Sequence, residues 1–141
     1  MTVSRRALLV TGAATIATGI GGYAVLRRAD SGVSWAQGRL SSRHWPGRAV
    51  DWRLARPDPA RVPSPRVVVA LHGRGGNAGD AFDGLRLHEQ VERLSIAVAS
   101  VDGGERYWHP RRSDDTGAMV IEDLLPELSR HGIPAGPIGL I

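Results

Sequence analysis

Residues 66–82 read "RVVVALHGRGGNAGDAF". The run at 66–71 holds three consecutive valines and no polar alternation. Such a run suits a central parallel strand covered on both faces. It passes directly into "HGRGGNAGD" at 72–80, a glycine-rich turn, and then into a helical stretch expected over about 80–94. In an open α/β sheet, ligands bind beyond the carboxyl ends of the strands. The same seventeen residues therefore point both to an α/β sheet and to a candidate site at its edge.

Toward the C-terminus the pattern repeats. "SIAVASV" (95–101) is a second apolar strand, ending at Asp102-Gly103-Gly104, and "ERYWHPRRSDD" (105–115) is a loop. Asp114, Asp115 or Thr116 can cap a helix running to about Arg130. On that helix Ile121, Leu124, Leu125 and Leu128 are expected to share a buried face, with Glu122, Asp123 and Glu127 on the wet side. Pro126 is expected to kink it, and His131-Gly132 to end it. "PIGLI" (137–141) reads as a third parallel strand.

Toward the N-terminus, "WAQGRLSSRHW" (35–45) and "AVDWRLARP" (49–57) alternate apolar and polar residues around Pro46-Gly47, which predicts an antiparallel hairpin. "RPDPARVPSP" (56–65) holds four prolines and is a loop. The expected fold class is α/β: an antiparallel hairpin followed by parallel β-α-β-α-β, an incomplete sheet.

Residues 1–30 read as a separate segment, and 31–141 as the folded body. Ser4-Arg5-Arg6 precedes Ala7-Leu8-Leu9, and residues 7–26 carry no charge. The pattern resembles a twin-arginine export signal. Twenty residues would also span a bilayer as a helix. The expectation is export across, or anchoring in, the cytoplasmic membrane, with an extracytoplasmic body.

Composition excludes several classes. All 18 basic residues are Arg, so lysine Schiff-base chemistry is out. Cysteine is absent, which removes thiol nucleophiles and cysteine metal sites. The formal charge of +4 is concentrated at the N-terminus; from residue 31 onward 14 Arg stand against 13 Asp and Glu. With no basic stripe in the body, nucleic-acid binding is not expected. Asp114-Asp115 reads as a helix cap, and His44, His88 and His131 lack metal-ligand spacing, so no metal is expected.

Two chemistries compete for the glycine turn. Gly73, Gly75 and Ala78 fit G-x-G-x-x-A, with Asp102 closing the next strand, as in a dinucleotide-binding fingerprint. His72, bulky where a pyrophosphate would approach, counts against it. So does the hairpin ahead of the strand. The second reading is an oxyanion loop. Gly73, Arg74, Gly75 and Gly76 would present backbone N–H groups to a carbonyl oxygen that gains negative charge during acyl transfer.

Three stretches together, "VVVALHGRGGNAGDAF" (67–82), "VDGGERYWHPR" (101–111) and "DLLPEL" (123–128), resemble the bacterial esterase branch of the α/β-hydrolase superfamily. The resemblance covers about 67–141. It implies a serine hydrolase acting on small-molecule carboxylic esters, without a cofactor. It makes the backbone N–H of Arg74 the oxyanion donor and His72 a brace for the loop. Tyr107, Trp108 and His109 become candidate pocket-lining residues. It also implies that the nucleophile, on a Gly-x-Ser-x-Gly turn, is expected just after Ile141. Ser100 and Ser113 lie in no such turn, so the 141 residues are expected to be inactive alone. A non-catalytic envelope-associated protein is the remaining alternative.

Overall fold

The computed structural model describes residues 16–18, 24–27 and 32–141. Ser4, Arg5 and Arg6 of the export-signal reading lie outside them. Ile16–Thr18 (β1), within the uncharged run, and Ala24–Arg27 (β2), at its end, are short strands. They pair with each other, and β2 pairs with the next strand. Among the described residues no helix is long and apolar enough to cross a membrane.

The described strands form one seven-stranded sheet in the order β1-β2-β3-β4-β6-β5-β7. The hairpin is β3 (Val33–Ser41) and β4 (Ala49–Pro57), in register from Val33↔Pro57 to Ser41↔Ala49. Gly47, at φ +76°, supplies the left-handed turn residue. The valine run is β5 (Arg66–Ala70) and the second apolar run β6 (Ile96–Val101), paired in parallel. β6 inserts between β4 and β5, and its contact with β4 is antiparallel. β7 (Gly139–Leu140) lies on the other side of β5, also in parallel.

Helices cover both faces, which is why the central strands carry no polar alternation. On one face Val67, Val69, Ala97, Ala99 and Val101 pack with Met119, Val120, Leu124 and Leu128. On the other, Ala70 and Val98 pack with Ala81, Phe82 and Val91.

Two helical expectations change. The stretch 80–94 is not continuous: α1 (Asp80–Asp83) and α2 (Glu89–Leu94) are separated by Gly84 and by Arg86, whose φ of 52° is left-handed. Glycine weakens helix there, and the break lets both Phe82 and Val91 reach the core. The second helix begins as α3 (Thr116–Met119), capped by the Asp115 carboxylate, which accepts the Ala118 N–H at 2.8 Å. It then widens into a π-helical turn, Val120–Leu124, before α4 (Leu125–Arg130). The wider turn takes up Pro126, which has no N–H to give, and adds a residue to the turn. This rotates the apolar stripe. Met119, Val120, Leu124 and Leu128 are buried, whereas Ile121 is 63% exposed.

The acidic residues on this helix are more than a wet face. Ser42 donates to Asp123, and Arg43 and His44 contact Glu122, so the hairpin tip is tied to the helix. The hydrogen bond from Arg43, then that from His44, holds the Glu122 carboxyl below its ordinary value of 4.5. A depressed carboxyl contributes stability that is present above the unfolded value and lost as pH falls through the native one. Urea denaturation of Glu122→Gln should therefore show the parent's advantage above pH 4.5 shrinking below it. An unchanged gap between the two proteins at acid pH would contradict the tie.

Candidate active site: the loop after the first parallel strand

β5 is flanked by β6 on one side and β7 on the other. The chain thus reverses direction around β5, and the carboxyl ends of β5 and β7 form a topological switch point, where α/β sheets open a crevice. The glycine loop begins there, at the end of β5.

Its conformation follows from the sequence. The Gly76 N–H donates to the Gly73 carbonyl at 3.1 Å, closing a four-residue turn. Gly75 has φ +78°, while Arg74 is not left-handed. Positive φ at the third position alone is the type II pattern, which calls for glycine there. Gly73 has open space where a Cβ would stand. A Cβ on Gly76 would overlap the Asp80 carboxylate and come within 2.9 Å of the His72 Cβ.

His72 is the pivot. Its side chain is 2% exposed. The Gly103 N–H donates to Nε2 at 2.8 Å, so Nε2 is bare and the ring proton sits on Nδ1. Nδ1 donates to the Gly73 carbonyl at 2.7 Å. The described peptide bonds are all trans. In a planar trans peptide the C=O and the following N–H point in opposite directions. With the Gly73 carbonyl held by His72 and Gly76, the Arg74 N–H points away from the body. Among the described residues, none accepts from the N–H of Arg74 or Gly75.

The loop after β6 supplies the other half of this brace. Trp108 Nε1 donates to the His72 carbonyl at 3.0 Å, and its ring meets the imidazole edge-on at 5.3 Å. Asp102 is not free in solvent. Oδ1 accepts from the Gly104 N–H at 2.6 Å, and Oδ2 meets Arg48 at 3.2 Å. Arg106 pairs with the buried Asp114, at 3.1 Å. Beside the loop lies a polar groove of about 420 Å³, lined by Arg39, Asp51, Arg53, Asn77, Gly79 and Asp102 among others.

Tyr107, Trp108 and His109 do not line this groove. Trp108 is packed behind His72, Tyr107 is 56% exposed, and His109 faces the Pro110 carbonyl at 3.1 Å. Ser100 is buried at 1% exposure, and the Ser113 hydroxyl donates to Asp114 at 2.7 Å. Neither is placed as a nucleophile beside an imidazole.

The dinucleotide alternative loses its geometry. Gly73, Gly75 and Ala78 are in place, but α1 is only four residues long. The Asp80 carboxylate already accepts the Asn77 N–H at 3.2 Å, so a pyrophosphate would meet a negative charge. Asp102, the residue expected on the ribose, is held by Arg48 and Gly104. Arg48, Gly103 and Asp80 were missed as site residues. Asp-Gly-Gly directly after a strand was the available signal, since Asp before glycine favours a side-chain-capped turn.

No protein-family model and no curated protein matches the chain by sequence. Solved structures do match by fold. An S-formylglutathione hydrolase from Agrobacterium tumefaciens matches with a TM-score of 0.67 at 11% identity, over 82% of this chain and 51% of that one. An acetyl xylan esterase from Paenibacillus sp. R4 matches with a TM-score of 0.57 at 16% identity, over 91% and 45%. An esterase from Mycobacterium marinum matches with a TM-score of 0.54 at 28% identity, over 79% and 35%. The chain thus spans between 35% and 51% of the length of these structures. Its fold is the N-terminal part of an α/β-hydrolase sheet.

The loop makes opposite forecasts for two neighbouring glycines. Gly76→Ala should cost about 1–3 kcal/mol by overpacking, while Gly73→Ala should leave stability within about 0.5 kcal/mol. Chemical denaturation of the two variants checks the contrast. Equal losses would mean that the loop is not packed in this way.

Proposed function

We propose that this chain carries the oxyanion-binding part of a carboxylic-ester hydrolase site. The observation that carries the reading is the pair of unpartnered N–H groups, Arg74 and Gly75, at the switch point, with the Gly73 carbonyl turned away from the Arg74 N–H. During acyl transfer the substrate carbonyl oxygen becomes an anion. A fixed backbone donor aimed at it lowers the barrier by roughly 3–4 kcal/mol. A type II turn on a rigid strand holds that donor without reorganisation.

Small-molecule esters are the substrate class of the reading, by analogy with the esterases that share the fold. Acyl-enzyme formation also needs a nucleophile, a base and an orienting acid. The described residues do not assemble these at the loop, so the 141 residues alone are proposed to bind the oxyanion without turning esters over. Ser4-Arg5-Arg6 and the uncharged run behind them support export or anchoring of the body outside the cytoplasmic membrane.

The test is an amide titration of ¹⁵N-labelled protein. A methyl alkylphosphonate monoester, whose P–O⁻ resembles the tetrahedral oxyanion, should shift the Arg74 and Gly75 amides, and NAD should not. p-Nitrophenyl acetate should be hydrolysed no faster than in buffer. NAD shifting these amides, or the phosphonate leaving them unmoved, would overturn the oxyanion assignment. Ester turnover by the isolated chain would overturn the claim of inactivity.

A further inference from the structure

The direction of the Arg74 N–H depends on a single proton, the one on the His72 ring. Nε2 accepts from Gly103 at 2.8 Å, and Nδ1 faces the Gly73 carbonyl at 2.7 Å. Moving the proton to Nε2 would set two N–H donors against each other at the Gly103 contact. It would also leave the bare Nδ1 lone pair facing the lone pairs of the Gly73 oxygen. Both contacts would become repulsive. The relief available is a flip of the Gly73–Arg74 peptide, which turns the Arg74 N–H inward to Nδ1 and the carbonyl outward, toward the place where an oxyanion would sit.

The tautomer is set by the Gly103 amide, and the Gly103 amide is aimed by Asp102. Asp102 Oδ1 caps the Gly104 N–H at 2.6 Å, and Gly104 takes φ +62°. The Asp102 N–H donates to the Asp51 carbonyl at 2.9 Å, which extends the β4–β6 pairing and fixes where the turn starts. Oδ2 meets Arg48 at 3.2 Å, and Arg48 lies over the Trp45 ring at 4.3 Å. At 3.8 Å, Oδ1 is too far from Nε2 to bond it. Asp102 therefore acts on His72 through the turn. We propose that Asp102 is a positioning residue, which aims the Gly103 N–H at His72, locks the Nδ1–H tautomer and thereby points the Arg74 N–H outward.

This proposal rests on the oxyanion reading for its purpose, but its test uses no ester and no anion. Long-range ¹H–¹⁵N correlation spectra of the imidazole report which ring nitrogen carries the proton. The parent protein should show a single Nδ1–H form for His72. Asp102→Asn keeps the Oδ1 acceptor for Gly104 and should retain that form, even though it loses the charge that pairs with Arg48. Asp102→Ala should give a mixture of tautomers, with the Arg74 amide shifted or split and the amides of β5 and β6 unchanged. An Nε2–H form in the parent overturns the proposal whether or not the variants fold. So does an Asp102→Ala protein with an unaltered tautomer and an unaltered Arg74 amide. If the tautomer behaves as stated but the phosphonate titration fails, the lock stands and the oxyanion reading falls.

Discussion

The hydrogen bond from the Gly103 N–H to His72 Nε2, beside that from Trp108 Nε1 to the His72 carbonyl, joins the two loops at the carboxyl end of the sheet. Everything distinctive about the site depends on it. It leaves the ring one donor, at Nδ1, and that donor fixes the Gly73 carbonyl. A backbone group on one strand end thereby decides the direction of a backbone group on its neighbour. The imidazole between them is buried, so water does not compete for either nitrogen. Its place in the structure is that of a spacer with one donor and one acceptor, and no substrate need touch it.

The sheet makes this joint possible. β5 and β6 are parallel neighbours, so their carboxyl ends lie side by side, and His72 and Gly103 are brought within reach although 31 residues separate them. The chain goes from β5 to β6 with α1 and α2 on one face, then back across β5 to β7 with α3 and α4 on the other. A change of direction with a change of face is what a constant crossover hand requires. The same reversal opens the switch point at which the Arg74 N–H emerges. The hairpin β3–β4 adds its own constraint, since Arg48 at its tip holds Asp102 from the far side.

Much of this was legible in the sequence, and the rest was hidden for physical reasons. The strands at 66–71 and 95–101 were readable because strands buried on both faces are unbroken apolar runs. Their order in the sheet was not, because burial says nothing about which neighbour supplies the hydrogen bonds. A single helix over 80–94 is not what forms: apolar spacing runs through Gly84 and Arg86, but a left-handed Arg86 lets the chain break and bury more. The outward turn of Ile121 depends on a π-helical turn that periodicity cannot register. At the site, local glycine chemistry indicated the loop. The partners of His72 are nonlocal, and only the fold brings Gly103 and Trp108 to it.

Amide hydrogen exchange in the native protein reads out the direction of the Gly73–Arg74 peptide. The Gly103 amide, bonded to a buried nitrogen, should exchange slowly, as the β5 and β6 amides do. The Arg74 and Gly75 amides should exchange close to the rate of an unprotected peptide. A fast Gly103 amide together with a protected Arg74 amide would mean that the Gly73–Arg74 peptide faces the other way, and that the loop presents a carbonyl where an oxyanion donor is claimed.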